Sequence, residues 1–339
     1  MFGRLIRKLK AAIEKGFKNP DPGPQEELIS PDLRQNLDRI GAILSQSPDV
    51  VIRQFTICID NGWPAAIIYI DELADKKTIN DHILRPLMVD TVKITAEKTG
   101  PLVKDLRWIE DHLISVNELS RSSTLDQVVA AVIKGDTALL VQGFTNGLQI
   151  SSKGWEKRAL SEPEVEVVLK GPRDGFIENL RTNTALIRRK IAHPDLTFEP
   201  MRIGRKTRTD LFIAYIRGIA REDLVAEVRR RIERIDTDSV LAAANVSEFI
   251  EDAPFSIFPT TAFTERPDVA AAKLLDGRIA IIIDGTPTVY TVPALFIEGF
   301  QSPDDYHLRP YYATLIRWVR YLAFSLTVFL PALYVAMAS

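Results

Sequence analysis

The feature that most constrains the fold of this chain is an internal repeat. Two pairs of segments are similar at a nearly constant separation: AIIYIDELADKKTINDHILRPL (66–87) with FIAYIRGIAREDLVAEVRRRI (212–232), and VVAAVIKGDTALLVQGFTNGLQI (128–150) with VAAAKLLDGRIAIIIDGTPTVYTV (269–292). Tyr69 matches Tyr215, 146 residues later, and Gly135 matches Gly277, 142 residues later. Self-similarity at a fixed period indicates a duplicated structural unit. We therefore predict two lobes of the same fold.

Each copy of the repeat predicts the same order of secondary structure. A pair of apolar, β-branched strands surrounds a turn at Asn61-Gly62 in the first copy and at Gly204 in the second. A helix with an apolar stripe follows, then a short helix that ends at a glycine, and then a buried apolar strand. The stripe comprises Ile79, Ile83, Leu84 and Leu87 in one copy and Leu224, Val228, Ile232 and Ile235 in the other. We expect an α/β fold with two tandem similar subdomains, each a mixed sheet with flanking helices.

The C-terminal stretch differs in kind from the two copies. Residues 321–339, YLAFSLTVFLPALYVAMAS, carry no charge and approach the roughly 20 residues that cross a bilayer. Arg309, Arg317 and Arg320 precede this stretch, so the positive-inside rule places the long N-terminal region in the cytoplasm. The chain ends as the span ends, which leads us to expect a truncated piece of a larger membrane protein. The predicted span includes Tyr321, Leu330, Pro331 and Tyr334.

These features divide the chain into six segments. The N-terminal one is a basic arm that could contact an anionic membrane surface. The segments are the arm (1–30), a first α/β subdomain (31–152), a connector (153–194), a second α/β subdomain (195–300), a juxtamembrane segment (301–320) and a transmembrane helix (321–339).

The composition excludes several classes of function. The 43 basic and 45 acidic residues give a net charge of −2, so we expect no nucleic-acid partner. Cys58 is the only cysteine, and the four histidines form no HxxxH pair, so we expect no metal or other cofactor. The sequence lacks Ser-His-Asp, HExxH and CxxC patterns, and we predict that the protein is not an enzyme.

The turn GPRDGF (171–176) invites interpretation as a phosphate site, but its glycine spacing differs from that of a P-loop, and Pro172 removes an amide donor. We instead predict that Asp174 or Gly175 caps a helix with an apolar stripe and with Arg181 and Arg188 on a charged outer face. Because this helix lies between the two copies, we interpret it as a brace whose arginines are candidates for pairing with a neighbouring lobe or subunit.

Two further turns receive the same structural interpretation. DGTP (284–287) follows a buried strand and is typical of a hairpin, and GRKTRT (204–209) is typical of an exposed hairpin tip. The candidate structural or interaction residues are Gly171, Pro172, Arg173, Gly175, Arg181, Asn183, Arg188, Arg189, Gly204, Arg205, Asp284 and Gly285.

Several motifs in order resemble those of the GerA family of spore germination proteins, the A subunits of nutrient germinant receptors. The stage V sporulation protein AF shares their layout. The matching stretches are 154–191, 204–220, 263–293 and 300–336. They contain GPRDGF with its following asparagine and paired arginines, and then ERPD, DGTP, QSPDDY and LPALY in order.

The resemblance implies a protein of the inner spore membrane with a large cytoplasmic N-terminal region of two α/β subdomains. It implies a permease-like B subunit and a lipoprotein C subunit as partners, a homo-oligomer, and a role in signalling and ion release. Two alternatives stay open: a stage V AF-type paralogue that amplifies ion release, and a small-molecule binding module between the two lobes.

Overall fold

The computed structural model describes residues 27–44, 47–59, 62–91, 105–116, 118–154, 163, 166, 172–240, 243–251, 259–300, 305 and 309–338. The predicted basic arm lies almost entirely outside the described residues.

The described residues of the first lobe form five strands and four helical segments. Its helices are α1 (Leu33–Ile43), α2 (Lys76–Thr78, continued by two π-helical stretches, Ile79–Leu84 and Pro86–Asp90), α3 (Leu106–His112) and α4 (Leu125–Ile133). Its strands are β1 (Val50–Ile57), β2 (Trp63–Ile70), β3 (Leu119–Ser122), β4 (Thr137–Val141) and β5 (Gly147–Ile150).

The second lobe repeats this set and leads into a long helix. Its helices are α5 (Leu180–Lys190), α6 (Glu222–Glu233), α7 (Ala243–Ile250) and α8 (Pro267–Leu275). Its strands are β6 (Leu196–Ile203), β7 (Thr209–Ile216), β8 (Ala262–Thr264), β9 (Ile279–Ile283) and β10 (Val289–Val292). A 3₁₀ turn, Phe296–Phe300, precedes the last helix, α9 (Pro310–Ala338).

The two sheets have the same strand order, β1-β2-β4-β5-β3 and β6-β7-β9-β10-β8. Their register is also the same, since Val50 faces Ile70 and Leu196 faces Ile216 at equivalent positions. The repeat seen in the sequence is therefore a repeat of topology and register, and the predicted α/β class with two similar lobes is confirmed.

The strand directions are more uniform than we expected from the sequence. Every ladder between the named strands is antiparallel. In the first lobe the short helix joins β3 to β4, and the next strand, β5, lies between them in the sheet. In the second lobe β10 lies between β8 and β9 in the same way. The inserted strand runs opposite to both of its neighbours, so a split βαβ unit produces antiparallel ladders.

Each sheet is covered by helices on both faces. In the first lobe α1 and α4 pack on one face, and α2 and α3 on the other. In the second lobe α5 and α8 take the first position, and α6 and α7 the second. The central strands β4 and β9 are buried along their whole length, as their unbroken apolar sequences predict.

The helices that precede these central strands end at the predicted glycines. Gly135 and Gly277 have φ angles of +94° and +81° directly after the last helical turn. A side chain at Gly277 would also place its Cβ 3.0 Å from the carbonyl oxygen of Ile219. Glycine therefore satisfies both the left-handed backbone and the close approach.

Helix α5, predicted to belong to the connector, has a different place in the fold. Its apolar residues Leu180, Leu186 and Ile187 lie in the core of the second lobe, in the position that α1 occupies in the first. The second unit thus starts before residue 195. Glu166, which also lies in the predicted connector, contacts the second lobe, because its Oε2 accepts a hydrogen bond from the amide of Glu265 at 2.9 Å.

Candidate functional site

The two lobes meet where α5 faces residues 47–49, which precede β1. The Arg188 guanidinium donates from Nε to Asp49 Oδ2 at 2.6 Å and from Nη2 to Asp49 Oδ1 at 3.1 Å. Both side chains are almost fully buried, with 0% and 1% exposure. Arg188 also lies over the ring of Phe198, 5.1 Å from its centroid, which adds a cation–π contact.

Ser47 extends this contact into the strand of the second lobe. Its Oγ accepts hydrogen bonds from Arg188 Nη2 and from the amide of Phe198, each at 3.3 Å. A residue of the first lobe therefore supplies an acceptor to the backbone of β6.

Two more arginines of the second lobe hold the backbone of the first. Arg181 Nη1 donates to the carbonyl of Pro48 at 2.6 Å, and its guanidinium lies 5.1 Å from the ring centroid of Phe212. Arg217 Nη2 donates to the carbonyl of Ile43 at 2.9 Å. We call the residues Ser47, Pro48, Asp49, Arg181, Arg188, Phe198 and Arg217 the interlobe contact.

The interlobe contact changes our interpretation of α5. We predicted a charged outer face with Arg181 and Arg188 and named both as candidates for pairing with a neighbouring lobe or subunit. Arg188 lies in a buried contact, not on an outer face, and its partner Asp49 belongs to the other lobe. Burying a guanidinium is costly unless a carboxylate neutralises its charge and further acceptors bind its N–H groups. Asp49 and Ser47 are those acceptors, and sequence spacing alone does not identify them because they lie about 140 residues away along the chain.

The N-terminus of α5 is capped by residues other than those we predicted. The preceding residues 172–179 are not helical, and the N-cap is Asn179, whose side chain accepts the amide of Thr182 at 2.9 Å. Asp284 Oδ1 accepts a hydrogen bond from the amide of Leu180 at 3.2 Å, and the amide of Gly285 donates to the carbonyl oxygen of Glu178 at 2.8 Å. The DGTP turn thus binds the helix start instead of serving only as a hairpin.

The same arrangement exists in the first lobe. Gln142 Oε1 accepts the amide of Leu33 at 2.8 Å, at the position equivalent to Asp284. Asn36 bonds both backbone groups of Ser30, as Asn183 bonds both backbone groups of Ile177. These residues fix the entry of α1 and α5 onto their sheets.

The remaining predicted residues are not among those that define the interlobe contact. Gly171 is outside the described residues. Pro172 and Arg189 are half-buried, Arg173 is exposed and Gly175 is buried. Gly204 has a φ of +84° in the β6–β7 hairpin, and the exposed Arg205 pairs with Asp236.

A second charged cluster connects the second lobe to the 3₁₀ turn. Glu298 accepts hydrogen bonds from Lys273 Nζ at 2.6 Å and from Arg278 Nη1 at 2.8 Å, and the three side chains are 12–13% exposed. Burial raises the pKa of Glu298, but the hydrogen bonds from Lys273 and Arg278 outweigh it, so the pKa is lowered overall. The carboxylate is therefore held in its ionised form.

The start of α9 is fastened to the same region. Asp305, whose side chain is 1% exposed, accepts from Arg320 Nη1 at 2.7 Å and from Arg317 Nε at 3.3 Å. Arg320 also donates to the carbonyl of Phe300 at 2.9 Å. We call Asp305, Arg317, Arg320 and the 3₁₀ turn the helix junction.

Within the described residues, α9 is the helix long and apolar enough to cross a membrane, over Tyr311–Met337, and none of the most apolar window is buried. It contains the predicted span residues Tyr321, Leu330, Pro331 and Tyr334. The helix begins eleven residues before the predicted span, so part of the predicted juxtamembrane segment forms its first turns.

Comparisons with known proteins agree with this architecture. The model of the GerA family, described as Bacillus/Clostridium GerA spore germination protein, matches residues 38–339. The chain is 38% identical to spore germination protein KA of Bacillus subtilis (strain 168) over 309 residues, 91% of this chain and 56% of that protein. It is 35% identical to stage V sporulation protein AF of the same organism over 296 residues, 87% of this chain and 58% of that protein.

A solved structure matches the two lobes. The N-terminal domain of the A subunit of the Bacillus megaterium spore germinant receptor GerK3 is 36% identical, with a TM-score of 0.63, and the match covers 80% of this chain and 98% of that one. The chain spans somewhat more than half the length of the two curated relatives named above. The chain therefore belongs to the GerA family of spore germination proteins.

Proposed function

We propose that this chain is the N-terminal part of the A subunit of a nutrient germinant receptor, and that it acts in germination without catalysing a reaction. Its two lobes face the cytoplasm and α9 is the first span in the inner spore membrane. Permease-like B and lipoprotein C subunits act with it, and the complete subunit oligomerises and takes part in ion release.

The observation that carries this proposal is the helix junction. Asp305 binds two arginines at the start of α9, while Glu298 holds the adjacent turn to α8 and β9 through Lys273 and Arg278. Charge-assisted hydrogen bonds are roughly twice as strong as neutral ones, and those of Asp305 are partly shielded from water. A displacement of the second lobe is therefore passed to the membrane helix, as a signalling subunit requires.

The orientation rests on charge. Arg309, Arg317 and Arg320 lie at the N-terminal end of α9, and the positive-inside rule counts such residues on the cytoplasmic side.

Gene deletion tests the role. In the spore-forming host, loss of the gene should abolish germination with one class of nutrients and leave other nutrients effective. A uniform slowing of germination by every nutrient would contradict the receptor proposal and favour the stage V AF-type alternative.

The interlobe contact bears on the binding-module alternative. Where the lobes meet at residues 47–49, the space is filled by the buried Arg188–Asp49 pair. Two cavities, of about 300 and 450 Å³, lie beside α6 within the second lobe. Calorimetric titration of the chain with nutrients tests this alternative, and the absence of binding heat with every nutrient would remove it.

A further inference from the structure

We propose that the 3₁₀ turn Phe296–Phe300, with the preceding Leu295, is a membrane-binding element that inserts apolar side chains among lipids beside α9. This inference rests on the proposed crossing of the membrane by α9.

The polarity of the turn is the first argument. Its one charged residue, Glu298, points inward and is neutralised by Lys273 and Arg278. Three consecutive apolar side chains point outward instead, since Leu295, Phe296 and Ile297 are 54%, 50% and 51% exposed. An element with its charge inside and its apolar side chains outside is suited to an apolar surrounding rather than to water.

The position of the turn along α9 is the second argument. Phe324 contacts the rings of Phe296 and Phe300, with centroid distances of 6.0 and 5.1 Å. Phe324 lies four residues beyond Arg320, the last charged residue of the chain, which is about 6 Å further along a helix. The turn therefore touches α9 within its uncharged part.

Lipid is the occupant that this continuity favours. The side chains of α9 after Arg320 are mostly exposed and apolar, so the surface of the turn is continuous with the apolar surface of a helix that lies in the hydrocarbon of the membrane if it spans. The hydroxyl of Tyr321 donates to the carbonyl of Ile297 at 3.4 Å, which places the turn beside an aromatic residue of the type found at membrane interfaces.

Spin labelling of the 339-residue chain tests the proposal. Cys58 is the single cysteine and is exposed, so a Cys58→Ser background allows one label at a time. Labels are placed through Ile297→Cys and, as a second position, Leu295→Cys. Neither side chain belongs to the group of aromatic rings formed by Phe296, Phe300 and Phe324. Val89→Cys, at 53% exposure in the first lobe, is the matched control, and Val328→Cys, at 50%, reports on the span.

The chain is reconstituted in vesicles of phosphatidylethanolamine and phosphatidylglycerol, and each label is probed with oxygen, which concentrates in lipid, and with a water-soluble nickel chelate. We expect the oxygen-to-nickel accessibility ratio at position 297 or 295 to exceed that at position 89 several-fold. A ratio equal to that at position 89 for both labels overturns the proposal, as does shielding from both reagents, which would indicate a protein partner. If the label at position 328 is also accessible to the nickel chelate, α9 does not span the membrane and the proposed function fails with the inference. If only the labels in the turn are accessible to it, the inference about the turn alone fails.

Discussion

At the scale of single residues, the buried Arg188 is the most consequential feature of the chain. Its charge is matched by Asp49 from the other lobe, and both lie out of water. Removing one member of such a pair costs more than the pair itself contributes, because the remaining charge stays buried without a partner.

We therefore predict that Arg188→Ala lowers the free energy of unfolding by about 3–5 kcal/mol, since it leaves the Asp49 carboxylate unpaired. Denaturant unfolding of the chain in detergent, followed by circular dichroism, measures the change. The control is Arg34→Ala, an exposed arginine at the α1 position equivalent to Arg181, with an expected change within about 0.5 kcal/mol.

The double variant Asp49→Leu/Arg188→Met removes both buried charges and leaves apolar side chains in their place. We expect it to recover most of the stability lost in Arg188→Ala, because it leaves neither charge unpaired. Equal stability of Arg188→Ala and the unsubstituted chain would show that the interlobe contact does not hold the lobes.

Asp284 supports a second prediction at this scale. Asp284→Ala removes the acceptor for the amide of Leu180 and should lower the free energy of unfolding by roughly 0.5–1.5 kcal/mol. Asp284→Asn keeps an acceptor oxygen and should cost less. Equal losses in the two variants, measured by the same unfolding assay, would mean that the negative charge at the helix N-terminus, not the hydrogen bond, is what matters.

At the scale of elements, the 3₁₀ turn is held to the second lobe by an ionised carboxylate. The pKa of Glu298 is lowered from its ordinary value of 4.5. A carboxylate whose folded pKa is depressed stabilises the fold above its unfolded pKa, and that contribution is lost as the pH falls through the folded value.

We predict that the melting temperature of the chain exceeds that of Glu298→Gln at neutral pH and that the difference shrinks once the pH falls below about 4.5, where protonation begins to compete. Thermal unfolding in detergent across this range measures it, with the exposed Glu233→Gln as the control. A difference that does not vary with pH would rule out an ionised Glu298 as its source.

The elements also show why one sequence prediction was confirmed and another was wrong. The helix stripes around Ile83 and Ile232 are buried as their periodicity predicts, because a helix face is set by local spacing. The cap of α5 was misplaced because GPRDGF contains good capping residues, yet residues 172–179 are not helical. The amide of Phe176 donates to the carbonyl of Glu265 at 2.8 Å, a contact that no local rule anticipates.

At the scale of the whole molecule, two lobes of one fold are joined in series to a long apolar helix. The first lobe contacts the second through residues 47–49, and the second lobe contacts α9 through the helix junction. Among the described residues, these contacts place the second lobe between the first lobe and α9.

We predict that Asp305→Asn, introduced into the complete protein in spores, weakens the nutrient response severalfold or more while the protein remains in the membrane. The neutral amide loses the ionic part of two contacts with Arg317 and Arg320. Nutrient-triggered germination and immunoblots of spore membranes measure the two quantities. Normal germination with normal protein levels would contradict a coupling role, and Asp210→Asn, on the exposed β6–β7 hairpin, is the matched control.

The sequence by itself determined the duplicated α/β unit, the buried central strands, the glycines that end the short helices and the long apolar helix, because each depends on local periodicity or on comparison of one copy with the other. Only the tertiary structure decided that Arg188 is buried against Asp49, that Asp284 and Gln142 perform the same capping task, and that Asp305 holds two arginines. Those contacts join residues far apart along the chain, and neither charge nor spacing along the sequence records which distant group becomes a neighbour.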